Sequence, residues 1–245
     1  GVVLCGLLLT GCATPPQSAA LQRTWPAQLP QAVLLDQVPF HPQEDLLCGP
    51  ATLAMVAQAA GASATPEQLT PQVYLPGRQG ALQTEMLAAT RRQGLVAYPL
   101  APDLQTVLSE VASGHPVLVL QNLSLPFSPM WHYAVVVGYD RTKQQVVLHS
   151  GTTARLVMPM STFENTWARS SHWAMRASRR PTRSRRSAAR ARKWPRSAGA
   201  TWAATPSSPR SGNGRPSRAG PSSSNCAGWA HPATGVASGS PSTRG

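Results

Sequence analysis

The amino-acid sequence predicts an α+β domain in which helices come first and an antiparallel sheet second. Three observations carry this. Between Cys48 and Ser113 apolar residues recur at helical spacing in successive segments. From Pro116 onward the pattern changes to short apolar runs suited to strands. Two of those runs, Trp131 to Tyr139 and Gln145 to His149, are joined by the short polar turn Asp140-Arg141-Thr142-Lys143, as in a hairpin. This segregation argues against alternating βαβ units.

The first helix begins at Cys48-Gly49-Pro50. Proline suits the first helical turn, where its missing N–H loses no partner. Leu53, Val56, Ala57 and Ala60 then share one face before Gly61 ends the segment. Thr65-Pro66-Glu67-Gln68 has the pattern of a capping box and opens a short second helix. Gly80 to Arg92 reads as a third, with Leu82, Met86 and Ala89 inward and Gly94 as its stop. Asp103 to Ser113 reads as a fourth, with Leu104, Val107, Leu108 and Val111 inward and Gly114 closing it. Pro116 to Leu120 is the first strand, and the hairpin pair follows. Arg155 to Met158 is a candidate further strand, and Ser161-Thr162-Phe163-Glu164 resembles the cap of a final short helix.

Charge divides the chain sharply. Its 245 residues carry a net +13, yet up to Met175 there are eight Lys/Arg against nine Asp/Glu. The remaining stretch holds fourteen Lys/Arg and no carboxylate. All the basicity therefore lies in residues 176–245, a Ser/Pro/Arg/Ala/Gly-rich tail, and the folded part is near neutral. A basic nucleic-acid-binding domain is excluded, because its positive footprint should lie on one face of the folded unit. No specific nucleic acid is expected as a partner. A polytopic membrane protein is also excluded, since no run of about 18 apolar residues occurs.

The tail lacks Leu, Phe, Tyr, Asp and Glu but keeps Trp194, Trp202 and Trp229. Disordered segments are normally poor in aromatics and use acids as well as bases. GC-rich coding DNA read out of frame accounts for this composition, with a slip near Met175–Arg176. A disordered basic tail that binds polyanions is the alternative.

The other end reads as an export address. Gly1 to Leu9 is a short apolar stretch without Met or a basic start, so the N-terminus looks clipped, and its length suits a signal-peptide core. Leu9-Thr10-Gly11-Cys12 resembles the bacterial lipoprotein signal, in which cleavage precedes a lipid-bearing cysteine. The expectation is residues 1–12 as signal segment, a lipid on Cys12 as membrane anchor, and 13–36 as a Pro/Gln/Ala-rich tether. Residues 37–175 then form the domain, placed in the bacterial cell envelope at the periplasmic face of the outer membrane.

Cysteine usage singles out Cys48. Cys5 belongs to the signal, Cys12 to the proposed lipid and Cys226 to the tail, so Cys48 is the one thiol of the expected domain. An exported protein usually pairs its cysteines; a lone one is either buried and inert or kept for chemistry. Cys48 stands where a helix begins, and the positive end of the helix dipole favours thiolate. Glu44 and Asp45 would oppose this if close. A thiolate nucleophile needs a base, a group to orient that base, and donors for an oxyanion. His132, at the start of an otherwise apolar strand, is the best base. Gln43, five positions before Cys48, is placed to set an amide donor beside the Cys48 N–H. Each has a bland reading: His132 as a structural strand histidine, Gln43 as a loop residue.

Together these residues carry a resemblance. The stretch Val38-Pro39-Phe40-His41-Pro42-Gln43-Glu44-Asp45-Leu46-Leu47-Cys48-Gly49-Pro50-Ala51 is followed by Gly114-His115-Pro116-Val117-Leu118-Val119. Trp131-His132-Tyr133-Ala134-Val135-Val136-Val137-Gly138-Tyr139-Asp140 comes next. The set resembles the papain-like cysteine peptidases that trim double-glycine leaders from bacteriocins, and their stand-alone lipoprotein relatives. The resemblance implies a papain-like fold, Cys48 as nucleophile, His132 as base, Gln43 as oxyanion donor, a peptide or protein substrate, and neither metal nor cofactor. Leader-trimming members are fused to a transporter, of which nothing is present here, so their substrate class does not carry over.

One expected feature is missing. Such peptidases place an Asp on the strand after the histidine, whereas the matching stretch here is Leu148-His149-Ser150-Gly151. Closing the hairpin at Tyr139/Gln144 sets Gly151 opposite His132, and a loop one residue shorter sets Ser150 there. Ser150 or His149 is then the candidate orienting group, with Asp140 and Asn122 as weaker substitutes. The sequence leaves two functions open: a slower cysteine peptidase, or an inactive peptide-binding module of the same shape.

Overall fold

The computed structural model describes residues 15–43, 47–125 and 127–180. In chain order it contains α1 (Pro16–Arg23), β1 (Ala32–Leu34), α2 (Cys48–Ala59), α3 (Pro66–Val73), the short strands β2 (Tyr74–Leu75) and β3 (Gly80–Ala81), and α4 (Gln83–Arg92). Then come β4 (Leu95–Pro99), α5 (Leu104–Ala112), β5 (Val117–Asn122), β6 (Trp131–Asp140), β7 (Gln145–Ser150), β8 (Thr153–Pro159), α6 (Met160–Ala168) and β9 (Ala174–Arg179). Seven strands form one sheet in the order β4-β9-β5-β6-β7-β8, with β1 added against the far end of β6. Every pairing in it is antiparallel, as the segregated sequence pattern requires.

Helices cover both faces. Period-2 alternation sends Leu118, Leu120, Tyr133, Val135 and Met175 to one face, where they pack with Leu53 and Met55 of α2, Leu69 of α3 and Met86 of α4. Val117, Val119, Ala134, Val136 and Leu148 go to the other, against Leu104 and Leu108 of α5, Phe163 and Trp167 of α6, and Leu21 of α1. A strand buried on both faces reads as a continuous apolar run, which is why β6 shows so little alternation. Each fully buried Leu, Val or Phe contributes about 1.5–3 kcal/mol, so the two cores hold β6 from both sides.

α2 is the deepest helix, buried from Cys48 to Ala57. Its close seating depends on Gly49: a Cβ there would stand 2.6 Å from Ala81 Cβ. Gly138 serves β1 likewise, since a Cβ would meet Val33 O at 2.5 Å. The capping box at Thr65 forms as the sequence indicates, with Thr65 and Gln68 bonding reciprocally.

Several expectations are corrected. Residues 13–36 are not simply a tether. α1 docks on the second core, and its first-turn Gln17 N–H and Ser18 N–H donate to the buried Glu164 carboxylate at 2.9 and 2.5 Å, joined by Ser18 Oγ at 2.6 Å. Pro15 provides no side-chain cap, so a distant carboxylate does that work. β1 pairs with β6 in register Ala32–Asp140 to Leu34–Gly138.

The domain also runs past Met175. Arg176, Ala177, Ser178 and Arg179 pair with β4. Arg176 meets Glu110 at 2.9 Å, and Arg179 donates to the carbonyls of Ala60 and Gly61. Residues this well engaged belong to the folded unit, which moves its boundary to about Arg179. The third helix starts at Gln83, because Gly80–Ala81 is a strand pairing with β2. The signal segment, Cys12 and the bulk of the tail lie outside the described residues.

Candidate active site

β6 carries His132 at its second residue, at the end of the strand farthest from the hairpin. The ring is buried, with the residue 8 % exposed, and its Nε2 lies 2.9 Å from Ser150 Oγ. Register explains the pairing. The hairpin closes at Asp140–Gln145, and an irregularity between Val136 and Gly138 then shifts the ladder so that Val135 faces His149. One step further on, Ser150 shares a sheet face with His132 and reaches it diagonally. Neither of the two simple hairpin closures gives this register, yet Ser150 is the residue that meets the ring. With Nε2 engaged, Nδ1 is the ring nitrogen left for a reaction partner.

Burial pushes the His132 imidazole down from 6.5 to about 4. It is therefore neutral near pH 7, as a proton acceptor must be. Asp or Glu beside Nε2 would oppose that depression by favouring imidazolium; Ser150 is neutral and does so only weakly.

His149 has a different task. Its Nε2 lies 3.3 Å from Val38 O, its Nδ1 accepts from the Arg155 N–H at 3.2 Å, and its ring meets Phe40 edge-on at 5.2 Å. It thus holds the Val38–Phe40 segment that leads to Gln43. Asp140 accepts from Thr142 Oγ1 and the Lys143 N–H within the turn. Asn122 Oδ1 accepts from the Ser124 and Met130 N–H groups and closes the β5–β6 loop. These three are engaged elsewhere, and Ser150 is the residue at His132.

Gln43 arrives on the same side. Its backbone N–H donates to Gly151 O at 3.0 Å, one residue beyond Ser150. The residue is 7 % exposed, and both amide atoms are buried without a hydrogen-bond partner among the described residues. Buried polar groups in folded proteins are nearly always paired, and an exception at a cleft calls for a functional reason.

Cys48 opens α2, whose start has no side-chain cap. Pro50 brings no N–H to the first turn, and Thr52 Oγ1 bonds back to Cys48 O at 2.6 Å. A Cβ on Gly49 would stand 3.9 Å from Tyr133 Cδ2, and Tyr133 OH donates to Ala81 O at 3.2 Å. The helix start is thus seated against the residue next to His132. The expectation of an unpaired thiol is corrected. Cys48 is 1 % exposed and disulfide-bonded, and Cys5, Cys12 and Cys226 all lie outside the described residues. An oxidising compartment favours that state, and a disulfide sulfur is no nucleophile until reduced. Glu44 and Asp45 lie outside the described residues.

One feature was not legible in the sequence. A cavity of about 190 Å³ is lined by Gln83, Leu120, Trp131, Arg169, Ser170, Ser171 and Trp173. Trp131 precedes His132, but Arg169 and Trp173 come from α6 and the turn after it, and only the β5–β9 pairing brings them alongside.

The sequence profile of the peptidase C39 like family matches residues 35–175. The chain belongs to this family. Among solved structures, a putative C39-like peptidase from Bacillus anthracis is 18 % identical with a TM-score of 0.54, aligned over 62 % of this chain and 100 % of the other. The peptidase domain of Streptococcus ComA, a bifunctional transporter of a quorum-sensing pathway, is 20 % identical at TM-score 0.47, over 59 % of this chain and 100 % of that one. A double glycine motif protease from a transporter, solved with its leader peptide, is also 20 % identical, at TM-score 0.45 over 59 % of this chain and 93 % of that one. No curated protein matches the chain. The fold is the α+β, papain-like arrangement of a C39 cysteine peptidase-like domain.

Proposed function

We propose that this C39-like domain is an active thiol-dependent peptidase in which Cys48, His132 and Gln43 divide the chemistry. His132 Nδ1 takes the proton from the Cys48 thiol, and the sulfur attacks the scissile carbonyl. The resulting oxyanion is received by the Gln43 amide and the Cys48 N–H. His132 returns the proton to the leaving amine as the C–N bond breaks, leaving a thioester on Cys48. Water, deprotonated by His132, then releases the acid and restores the thiol. Ser150 orients the ring in place of a carboxylate, and its neutrality makes imidazolium less stable, so the enzyme is slow for its type.

The observation that carries this reading is Gln43. A buried amide with no partner among the described residues at either end costs about 1–3 kcal/mol per unmet group. An acceptor that exists only in the transition state recovers part of that cost at the moment it accelerates reaction. In the cell we place the domain in the bacterial envelope, anchored by a lipid on Cys12 at the periplasmic face of the outer membrane.

The test uses reduced full-length protein and a library of internally quenched peptides. Wild type cleaves, Cys48→Ala does not, and Gln43→Ala loses about 10²–10³ in kcat with KM little changed. Equal rates for wild type and Cys48→Ala would overturn the proposal. A second reading, a peptide-binding module without turnover, is favoured by Ser150 where a carboxylate is expected and by the oxidised Cys48. It predicts peptide binding without cleavage even after full reduction.

A further inference from the structure

Three consecutive residues at the end of β7 each reach a different part of the site. Ser150 meets the His132 ring, Gly151 O accepts from the Gln43 N–H, and His149 bonds to Val38 O. Successive side chains of a strand point to opposite faces. Ser150 shares a face with His132, so His149 turns to the other, the face that carries α2. There its ring meets Phe40, which packs on the same core as Cys48.

The segment that His149 meets has no ladder to hold it. From Leu35 to Gln43, between β1 and α2, the chain is irregular backbone. Among the described residues its course is set by a few bonds. The Val38 N–H donates to Leu35 O at 3.3 Å, and Val38 O faces His149. His41 Nε2 lies 3.0 Å from Gln58 Oε1 of α2, and the Gln43 N–H donates to Gly151 O. Gln43 depends on that course. Both of its amide atoms are buried with no hydrogen-bond partner among the described residues, so no bond of its own fixes the amide in space. The amide takes its place from the backbone that carries it.

The ring of His149 is suited to a fixed attachment. Its Nδ1 accepts from the Arg155 N–H, so the proton resides on Nε2, which donates to Val38 O at 3.3 Å. Both nitrogens bond to backbone, and only the neutral imidazole serves both. The residue is 4 % exposed, and burial pushes its pKa below the ordinary value. On the peptidase reading above, we propose that His149 is a positioning residue for the oxyanion hole, setting through Val38 the path of residues 38–43 and so the place of the Gln43 amide. It acts through Gln43 and not through His132.

The test is a double-mutant cycle on cleavage of internally quenched peptides by reduced full-length protein. His149→Ala lowers kcat roughly 10- to 100-fold with KM little changed, since a displacement of about 1 Å suffices for such a loss. In a Gln43→Ala background the same substitution costs no more than about twofold, because the donor it positions is gone. The replacement chemistry discriminates further. The amide nitrogen of glutamine stands close to where Nε2 stood, so His149→Gln keeps the bond to Val38 O and recovers most of the rate. Asparagine matches Nδ1 instead and falls short of Val38, so His149→Asn behaves as alanine does. Where the alanine variant does not fold, this contrast carries the test. Equal losses in the two backgrounds, or Asn rescuing as well as Gln, would overturn the proposal. If wild type cleaves no peptide, the peptidase reading fails, and amide hydrogen exchange followed by NMR decides the positioning. The Gln43 N–H then exchanges about tenfold faster in His149→Asn than in wild type and His149→Gln, while the amides of β5 keep their rates. Unchanged exchange at Gln43, or a rise that β5 shares, refutes it.

Discussion

His132 binds a proton far more weakly in the folded protein than in an unfolded chain, because burial drives its imidazole from 6.5 to about 4. Between those values the unfolded chain holds the proton and the folded chain does not. Stability therefore rises with pH across that window and is lost as pH falls through about 4. At about 1.4 kcal/mol per tenfold change in proton affinity, the loss between pH 7 and pH 4 attributable to this one side chain is about 3 kcal/mol. The perturbation that isolates it is His132→Asn, which keeps a polar group near Ser150 and removes the titration. Urea unfolding of wild type and variant at both pH values gives a double difference in which the carboxylates cancel. We expect wild type to lose about 3 kcal/mol more than the variant with the Cys48 disulfide intact. Parallel pH dependence, within about 0.5 kcal/mol, would refute a buried neutral imidazole.

Reduction of Cys48 adds a second prediction: a nearby thiolate favours imidazolium, so the His132 titration, followed by NMR, moves upward in the reduced protein and stays low in Cys48→Ala. Replacing Ser150 separates orientation from charge. Ser150→Ala lowers kcat about tenfold or more, and Ser150→Asp raises it above wild type, checked by single-turnover kinetics. Truncating Glu164 strands the first-turn N–H groups of α1, so Glu164→Ala destabilises by about 2–4 kcal/mol in urea unfolding and exposes residues 16–23 to proteolysis.

Where Cys48 and His132 stand in the fold could be read from the chain alone, and the reasons are local. Pro50 and the periodic apolar face of residues 53–60 fix where α2 begins, and so where Cys48 stands. His132 is legible because it interrupts an apolar strand. What escaped detection depends on contacts between distant segments. Ser150 stands among the sequence candidates, but the register that brings it to His132 passes through an irregularity in the β6–β7 ladder, which no turn pattern announces. The Glu164 carboxylate caps a helix 146 residues away. β1 and β9 are short or polar enough to resemble linker, and their partners supply the pairing that makes them strands. Arg176 and Arg179 resemble the basic tail in composition, but Glu110 and the carbonyls of residues 60 and 61 hold them in the fold.

The proposed chemistry requires the sulfur of Cys48 and the imidazole of His132 to act as one unit. The most direct measurement is the rate at which a peptide vinyl sulfone alkylates Cys48 in reduced full-length protein, as a function of pH, in wild type and His132→Ala. A paired sulfur gives wild type substantial reactivity below the ordinary thiol range near 8.5, and the variant loses it there by at least tenfold. Identical profiles in the two proteins, both rising only near 8.5, would contradict it.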